Sequence, residues 1–248
     1  MTLEEFFLLH PQAAIAFSGG VDSAFLLYAA QKYAADVQAY YVKSEFQPEF
    51  ELEDARQLAE ELGVQMKILR LEVLTVPCVS ENPPDRCYYC KKAIFTAITE
   101  TAAADGYTLL LDGTNASDDA DDRPGMRALR ELSVRSPLRE CGLTKEQIRQ
   151  LSKEAGLFTW DKPAYACLAT RIATGEEITG EKLQTTETAE TYLFSLGFRD
   201  FRVRSERGCA RLQVREAQLG LLLEHRQEIL GRLKEYYKNV SLDLEVRG

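Results

Sequence analysis

The chain has 248 residues, 45% of them hydrophobic and 28% charged, with 30 Lys and Arg against 39 Asp and Glu. This composition excludes collagenous, low-complexity and wholly disordered chains, and the length suffices for one large α/β domain or a larger domain plus a small one. The net charge of −9 disfavours generic nucleic-acid binding, because neutralising phosphates needs a basic face.

The opening stretch MTLEEFFLLHPQ is acidic, with an apolar patch too short for a signal peptide or a membrane span. No other apolar run approaches spanning length, so the expectation is a cytoplasmic protein, in a reducing compartment, with no membrane partner. Residues 13–17 predict a strand, which leads through a glycine turn into a helix over 23–33. A strand over 37–42 follows, then a helix over 49–62 whose Leu52, Ala55, Leu58, Ala59 and Leu62 share one face and which Gly63 ends. Next come a strand over 65–71, a helix over 91–104, a strand over 108–111 and a helix over 144–155 with Thr144 as its N-cap. Such alternation predicts an α/β fold, a parallel sheet with helices on both faces. After about Gly175 the rhythm changes. A helix over 179–196, strands over 201–205 and 209–214 joined by Glu206-Arg207-Gly208, a long helix over 216–237 and a strand over 240–246 predict a small α+β domain. The expected domains are residues 1–175 and 176–248.

The strongest motif is Ser18-Gly19-Gly20-Val21-Asp22-Ser23, directly after the first strand and before a helix. Two glycines let the backbone approach a phosphate, Ser18 and Ser23 add hydroxyls, and the first amides of the helix face the anion. Asp22 would repel a phosphate, which suits it to hold a Mg²⁺ that bridges phosphates.

Six cysteines are present: Cys78, Cys87, Cys90, Cys141, Cys167 and Cys209. In a chain this long, thiols at close spacing point to metal or redox chemistry rather than crosslinks. Cys87-Tyr88-Tyr89-Cys90 is a C-x-x-C just before a predicted helix, a spacing that grips one metal or cluster but needs a third ligand. A buried thiol pair is the other reading. Cys167, in the loop after Pro163, is the natural third ligand or else a small buried hydrophobe, and Arg171 nearby would favour its thiolate. Cys78, Cys141 and Cys209 read as bystanders. Asp118, Asp119, Asp121 and Asp122 form an acidic run that reads chiefly as a solvated loop. Arg202 and Arg204 alternate around Val203, which sets two guanidiniums on one strand face, either a phosphate grip or a solvated edge. His10 and His225 are isolated.

The motif S-G-G-x-D-S is the signature of PP-loop ATP pyrophosphatases, an adenine-nucleotide α-hydrolase-like fold. With N-P-P-D-R-C-Y-Y-C-K-K from Asn82, the stretch from Asp112 to Gly125, and Ala166-Cys167-Leu168-Ala169-Thr170-Arg171, the chain resembles the LarE family over nearly its whole length. The resemblance implies ATP cleavage between the α- and β-phosphates. It also implies adenylylation of the carboxylates of pyridinium-3,5-biscarboxylic acid mononucleotide and their conversion to thiocarboxylates, in biosynthesis of the nickel-pincer nucleotide. Carried over by motif, Ser18, Gly19, Gly20, Asp22 and Ser23 would hold the pyrophosphate, with Ser44 and the Asp112-Gly113 turn near the adenosine. Thr170, Arg171, Arg202 and Arg204 would bind the mononucleotide phosphate, and Arg123 would face substrate. Glu190 matches an acidic position near a bound metal, but its expected acidic partner falls on Leu221, which puts that metal in doubt. The family supplies sulfur in two styles. One sacrifices a single cysteine; the other holds a four-iron four-sulfur cluster on three, and Cys87, Cys90 and Cys167 resemble the second. Catalytic roles would fall to Cys167 and Asp22, and the cofactors would be ATP, Mg²⁺ and the cluster. The partners implied are a small mononucleotide and a homo-oligomeric mate, with no nucleic acid. Two rivals are a PP-loop tRNA thiolase and an ammonia-using amide ligase. A zinc-stabilised nucleotide-binding module is the non-enzymatic one.

Overall fold

Neighbouring residues along the first strands point to opposite sides, and both sides are buried. Ala13, Ile15, Ala39, Tyr41 and Leu111 join one core cluster, while Ala14, Tyr40, Val42 and Leu110 join another. A parallel sheet covered on both faces has this burial pattern. The structure, a computed structural model, describes residues 1–34, 36–118 and 124–246. It divides into two units, Met1–Val73 with Asp85–Lys162, and Leu74–Pro84 with Pro163–Gly248.

The first unit begins with α1 (Leu3–Leu9), β1 (Gln12–Ala16), α2 (Val21–Tyr33), β2 (Asp36–Lys43), α3 (Glu49–Glu61) and β3 (Met66–Arg70). After α4 (Pro77–Ser80), which belongs to the second unit, it resumes with α5 (Arg86–Ala104), β4 (Leu110–Leu111), α6 (Pro124–Glu131), α7 (Pro137–Glu140) and α8 (Lys145–Glu154). The strand order is β3-β2-β1-β4, and each pair is parallel. The chain moves outward from β1 to β2 and β3, then returns to β4 on the other side of β1. The reversal falls at the C-terminal ends of β1 and β4, where open α/β sheets bind ligands.

The second unit contains α9 (Gly180–Ser195), β5 (Arg202–Glu206), β6 (Cys209–Gln213), α10 (Leu219–Glu224), α11 (Arg226–Leu233) and β7 (Asn239–Leu242). β5 and β6 form an antiparallel hairpin, and β7 adds parallel to β6. Arg207 and Gly208, with φ of 49° and 76°, make the two-residue turn that the hairpin twist favours. Ala189 and Leu193 of α9 pack with Phe198, Phe201, Val203, Leu212 and Leu233 in its core.

Several elements differ from their sequence-based expectations. The helix expected from Lys91 starts at Arg86, with Asp85 as N-cap after Pro83 and Pro84, so the C-x-x-C lies within its first turns and not before it. The single helix expected over 216–237 breaks at His225 into α10 and α11. The second unit starts at Pro163 instead of after Gly175, and it takes in Leu74–Pro84. Asn82 ties Leu74–Pro84 to the residues around Gly175. It is 2% exposed, and its side-chain amide donates to the carbonyls of Ala173 (2.8 Å) and Glu176 (3.2 Å). The Gly175 amide donates to the Asn82 carbonyl at 2.8 Å, and the Ile178 amide to Ser80 at 2.8 Å. Among the described residues no helix is long and apolar enough to cross a membrane.

Candidate active site

The first unit carries the glycine loop at the point of strand reversal. Gly19 has φ of +71°, and a Cβ on it would stand 3.1 Å from Ala55 Cβ and 3.3 Å from the Ala55 backbone. The left-handed φ favours glycine there, and α3 leaves only a tight fit for a side chain. Gly20 is the N-cap of α2 and brings no side chain to cap it, which leaves the first amides of the helix to a ligand. The Ser18 and Ser23 hydroxyls meet at 3.1 Å, and Ser23 Oγ donates to the Gly20 carbonyl at 3.1 Å. Gly113, just past β4, approaches from the neighbouring strand end; its Cβ would fall 2.8 Å from the Ser23 amide nitrogen. Side chains are thus disfavoured on two sides of one backbone cradle.

Asp22 stands in the first turn of α2. Its Oδ2 pairs with Lys145 Nζ at 2.6 Å, while its Oδ1 is buried and has no hydrogen-bond partner among the described residues. Burial pushes the carboxyl above the usual Asp range, and the Lys145 contact offsets part of that rise. A buried carboxylate oxygen lacking a donor suits a hard divalent cation, so the residues present fit Mg²⁺. Lys162 Nζ bonds Asp54 at 2.6 Å and the Gly19 carbonyl at 3.4 Å, tying α3 to the loop. Sequence reasoning passes over both lysines. A lysine directly after a helix N-cap, as Lys145 is, reads as a solvated charge.

The remaining expected nucleotide contacts are engaged locally. Ser44 is buried after β2; its hydroxyl donates to Gln47 Oε1 at 2.7 Å and accepts from the Phe46 amide at 3.2 Å. Its single proton is therefore committed to its own turn. Asp112 accepts from the Ser136 hydroxyl at 2.6 Å and from Thr114, which braces the turn that carries Gly113. Arg123, Asp119, Asp121 and Asp122 lie outside the described residues.

All six cysteines are thiols. Cys87 is exposed and Cys90 half-buried, three residues apart and so on one face of α5. Tyr88 between them is clamped: the Arg127 guanidinium stands 3.6 Å over its ring, and its hydroxyl donates to Glu131 at 2.8 Å. Arg86 Nη2 donates to Cys87 Sγ at 3.6 Å. Two exposed-to-half-buried thiols at this spacing have the donor chemistry of an iron-sulfur or zinc site. Among the described residues no three His, Cys, Asp or Glu side chains are gathered around a common point within either unit.

In the second unit Cys167 is half-buried and caps the 3-10 turn Leu168–Arg171. The turn is built on Arg171, which is 1% exposed. Its Nε and Nη2 bond Glu190 at 2.8 and 3.1 Å, and its Nη1 donates to the Ala166 carbonyl (2.7 Å), the Thr170 hydroxyl (2.8 Å) and the Cys167 carbonyl (3.4 Å). Glu190 also accepts from Tyr165 (2.5 Å) and the Val203 amide (2.9 Å). Arg171 is thus engaged on two sides, through Nε and Nη2 with Glu190 and through Nη1 with the cysteine loop. Both Glu190 oxygens therefore accept from donors within the second unit. Arg202 is 5% exposed and donates to the Phe201 and Ala164 carbonyls. Arg204 shares its strand face, half-buried, with Nη1 on the Thr170 carbonyl at 3.0 Å; Val203 turns into the core at 0% exposure.

Comparison with known proteins bears on both units. The family model described as queuosine biosynthesis protein QueC matches residues 12–80, the segment that includes the glycine loop. An uncharacterized protein of Synechocystis sp. is 39% identical over 98% of this chain and 92% of its own length. The pyridinium-3,5-bisthiocarboxylic acid mononucleotide synthase of Lactiplantibacillus plantarum is 34% identical over 94% of this chain and 86% of its own length. A tRNA-specific 2-thiouridylase of Clostridium botulinum is 26% identical over 60% of this chain and 51% of its own length. An intact phosphate loop at the strand reversal, and similarity at this level across both units, give one conclusion: the chain belongs to the LarE family of ATP-dependent sulfurtransferases.

Proposed function

We propose that this chain adenylylates the carboxylates of pyridinium-3,5-biscarboxylic acid mononucleotide and converts them to thiocarboxylates, in biosynthesis of the nickel-pincer nucleotide. The observation that carries the substrate is the 34% identity to a synthase of the bisthiocarboxylic product over 94% of this chain. The 2-thiouridylases match a smaller part, 60% of the chain, and the net charge of −9 offers RNA no general footing.

In this reading ATP binds with its pyrophosphate on Ser18, Gly19, Gly20 and Ser23, its Mg²⁺ on Asp22, and its adenosine toward the Ser44 and Gly113 strand ends. A substrate carboxylate oxygen attacks the α-phosphorus and the bond to the β-phosphate oxygen breaks, so pyrophosphate leaves and an acyl-adenylate forms. The loop amides take up charge that grows on the departing pyrophosphate, and a Mg²⁺ held by Asp22 would supply further neutralisation there. A sulfide then adds at the acyl carbon and AMP leaves with the bonding electrons. Arg204, with Arg202 beside it and Thr170 bonded to the same loop, is the grip we assign to the substrate phosphate. Arg171 instead holds the backbone that presents Cys167.

Cys87, Cys90 and Cys167 are the ligands this reading gives to a four-iron four-sulfur cluster, which when bound supplies one iron free to carry sulfide. The reaction belongs in the cytoplasm, in a homo-oligomer. The test is incubation of anaerobically purified protein with the mononucleotide, Mg–ATP and sulfide. AMP, pyrophosphate and an oxygen-for-sulfur exchange in the substrate mass support the reading, and AMP without sulfur incorporation defeats it.

A further inference from the structure

Lys145 and Asp22 are paired across 123 positions of sequence. Asp22 is the carboxylate assigned above to the metal, and the inference rests on that reading. One of its oxygens already holds a cation: Lys145 Nζ, at 2.6 Å from Oδ2. The other oxygen, Oδ1, is buried with no partner among the described residues, so the carboxylate is only half satisfied. An ammonium on a flexible four-carbon stem is a weaker partner for a hard carboxylate than a divalent cation, and its head can swing without moving its helix.

The backbone of Lys145 is held at the start of α8. Thr144 and Gln147 form a capping box at the start of α8, and the Lys145 amide donates to Ser117 Oγ at 3.0 Å. The side chain remains about one-third exposed, at 34%. Its ammonium reaches the first turn of α2 through Asp22. A cation so anchored would serve either of two anions, the Asp22 carboxylate or a phosphate brought to the loop.

We propose that Lys145 is a positioning residue that exchanges partners. Without nucleotide its ammonium stands in for the metal on Asp22, and when Mg–ATP enters, the Mg²⁺ takes Asp22 and Lys145 moves onto a pyrophosphate oxygen. The exchange keeps Asp22 from standing as an uncompensated buried charge and makes metal binding depend on nucleotide. It also gives the leaving pyrophosphate a second cation.

The signs of the two effects are opposite, which a structural role for Lys145 would not produce. Mn²⁺ alone, followed by its electron paramagnetic resonance signal, should bind Lys145→Met at least five-fold more tightly than wild type. The same variant should bind inorganic pyrophosphate with Mg²⁺ about ten-fold more weakly, and Lys145→Arg should restore wild-type values in part. Circular dichroism and a thermal melt establish that each variant is folded. Unchanged or weaker Mn²⁺ binding by folded Lys145→Met overturns the exchange, as does unchanged pyrophosphate affinity. Asp22→Asn tests the underlying reading separately: if Mg²⁺ still strengthens ATP binding in that variant, Asp22 is not the metal ligand. If that enhancement is lost while Lys145→Met leaves Mn²⁺ affinity unchanged, the metal assignment stands and the exchange alone fails.

Discussion

Gly113, Asp22 and Glu190 show how single residues serve the site from opposite requirements. Gly113 is needed for what it lacks. Gly113→Ala would drive a methyl to 2.8 Å from the Ser23 amide nitrogen, so the β4 turn must retreat from the loop. The expected cost is about 1–3 kcal/mol of stability with at least ten-fold weaker ATP binding, read by denaturant unfolding and by calorimetry. Asp22 is needed at the expense of stability. The fold raises its pKa, so its contribution to stability is fully present below the ordinary Asp value and is lost as pH rises through the folded value. Asp22→Asn should therefore melt no lower than wild type at neutral pH while losing the Mg²⁺-dependent part of ATP binding. A melting point several degrees lower would contradict this. Glu190 is the reverse case, buried at 1% exposure against an equally buried Arg171. Glu190→Ala strands that charge, at a cost of about 3–5 kcal/mol, and should loosen the Cys167 turn as seen by faster hydrogen exchange there.

Residue by residue, the sequence reveals chemistry that is local and hides chemistry that is assembled. The string from Ser18 to Ser23 announces its role because one turn supplies the glycines, hydroxyls and carboxylate together. Lys145 lies 123 positions from Asp22, and no local pattern separates it from a surface lysine. Arg171 carries a motif position, but the motif does not show that its side chain is 1% exposed and paired with Glu190.

At the scale of elements, α5 matters most, because its start decides how the C-x-x-C is presented. Since the helix begins at Arg86, Cys87 and Cys90 share a helical face, and Tyr88 is pinned by Arg127 and Glu131. Sequence reasoning begins this helix five residues late because the apolar periodicity is clear only from Lys91 onward, while the prolines before Asp85 are the true stop signal. Anaerobically purified wild type should contain iron and acid-labile sulfide with a broad brown absorbance, and Cys87→Ala/Cys90→Ala should lose both. Zinc in place of iron in the wild type would contradict the cluster. The N-cap of α8 was legible at Thr144, and the capping box it forms with Gln147 fixes the backbone of Lys145. The break between α10 and α11 at His225 was not, since Leu, Ile and Glu run through it with good helical propensity on either side.

For the whole molecule, alternating strands and helices in the first two thirds sufficed to foresee a parallel sheet, and its strand reversal falls where the loop motif requires. The division into units was less accessible. Leu74–Pro84 joins the second unit through Asn82, whose partners lie about 90 positions onward, a link that composition and periodicity do not carry. With its −9 charge the protein should not retain bulk tRNA in moderate salt, as read by gel shift. The central claim is that ATP-driven activation of a mononucleotide carboxylate ends in sulfur transfer, and mass spectrometry of the reacted substrate tests it most directly. The account predicts one oxygen-for-sulfur exchange per activated carboxylate, matched by AMP and dependent on Mg–ATP and Cys167. An amide in place of the thiocarboxylate, or an undiminished product from Cys167→Ala, would contradict it.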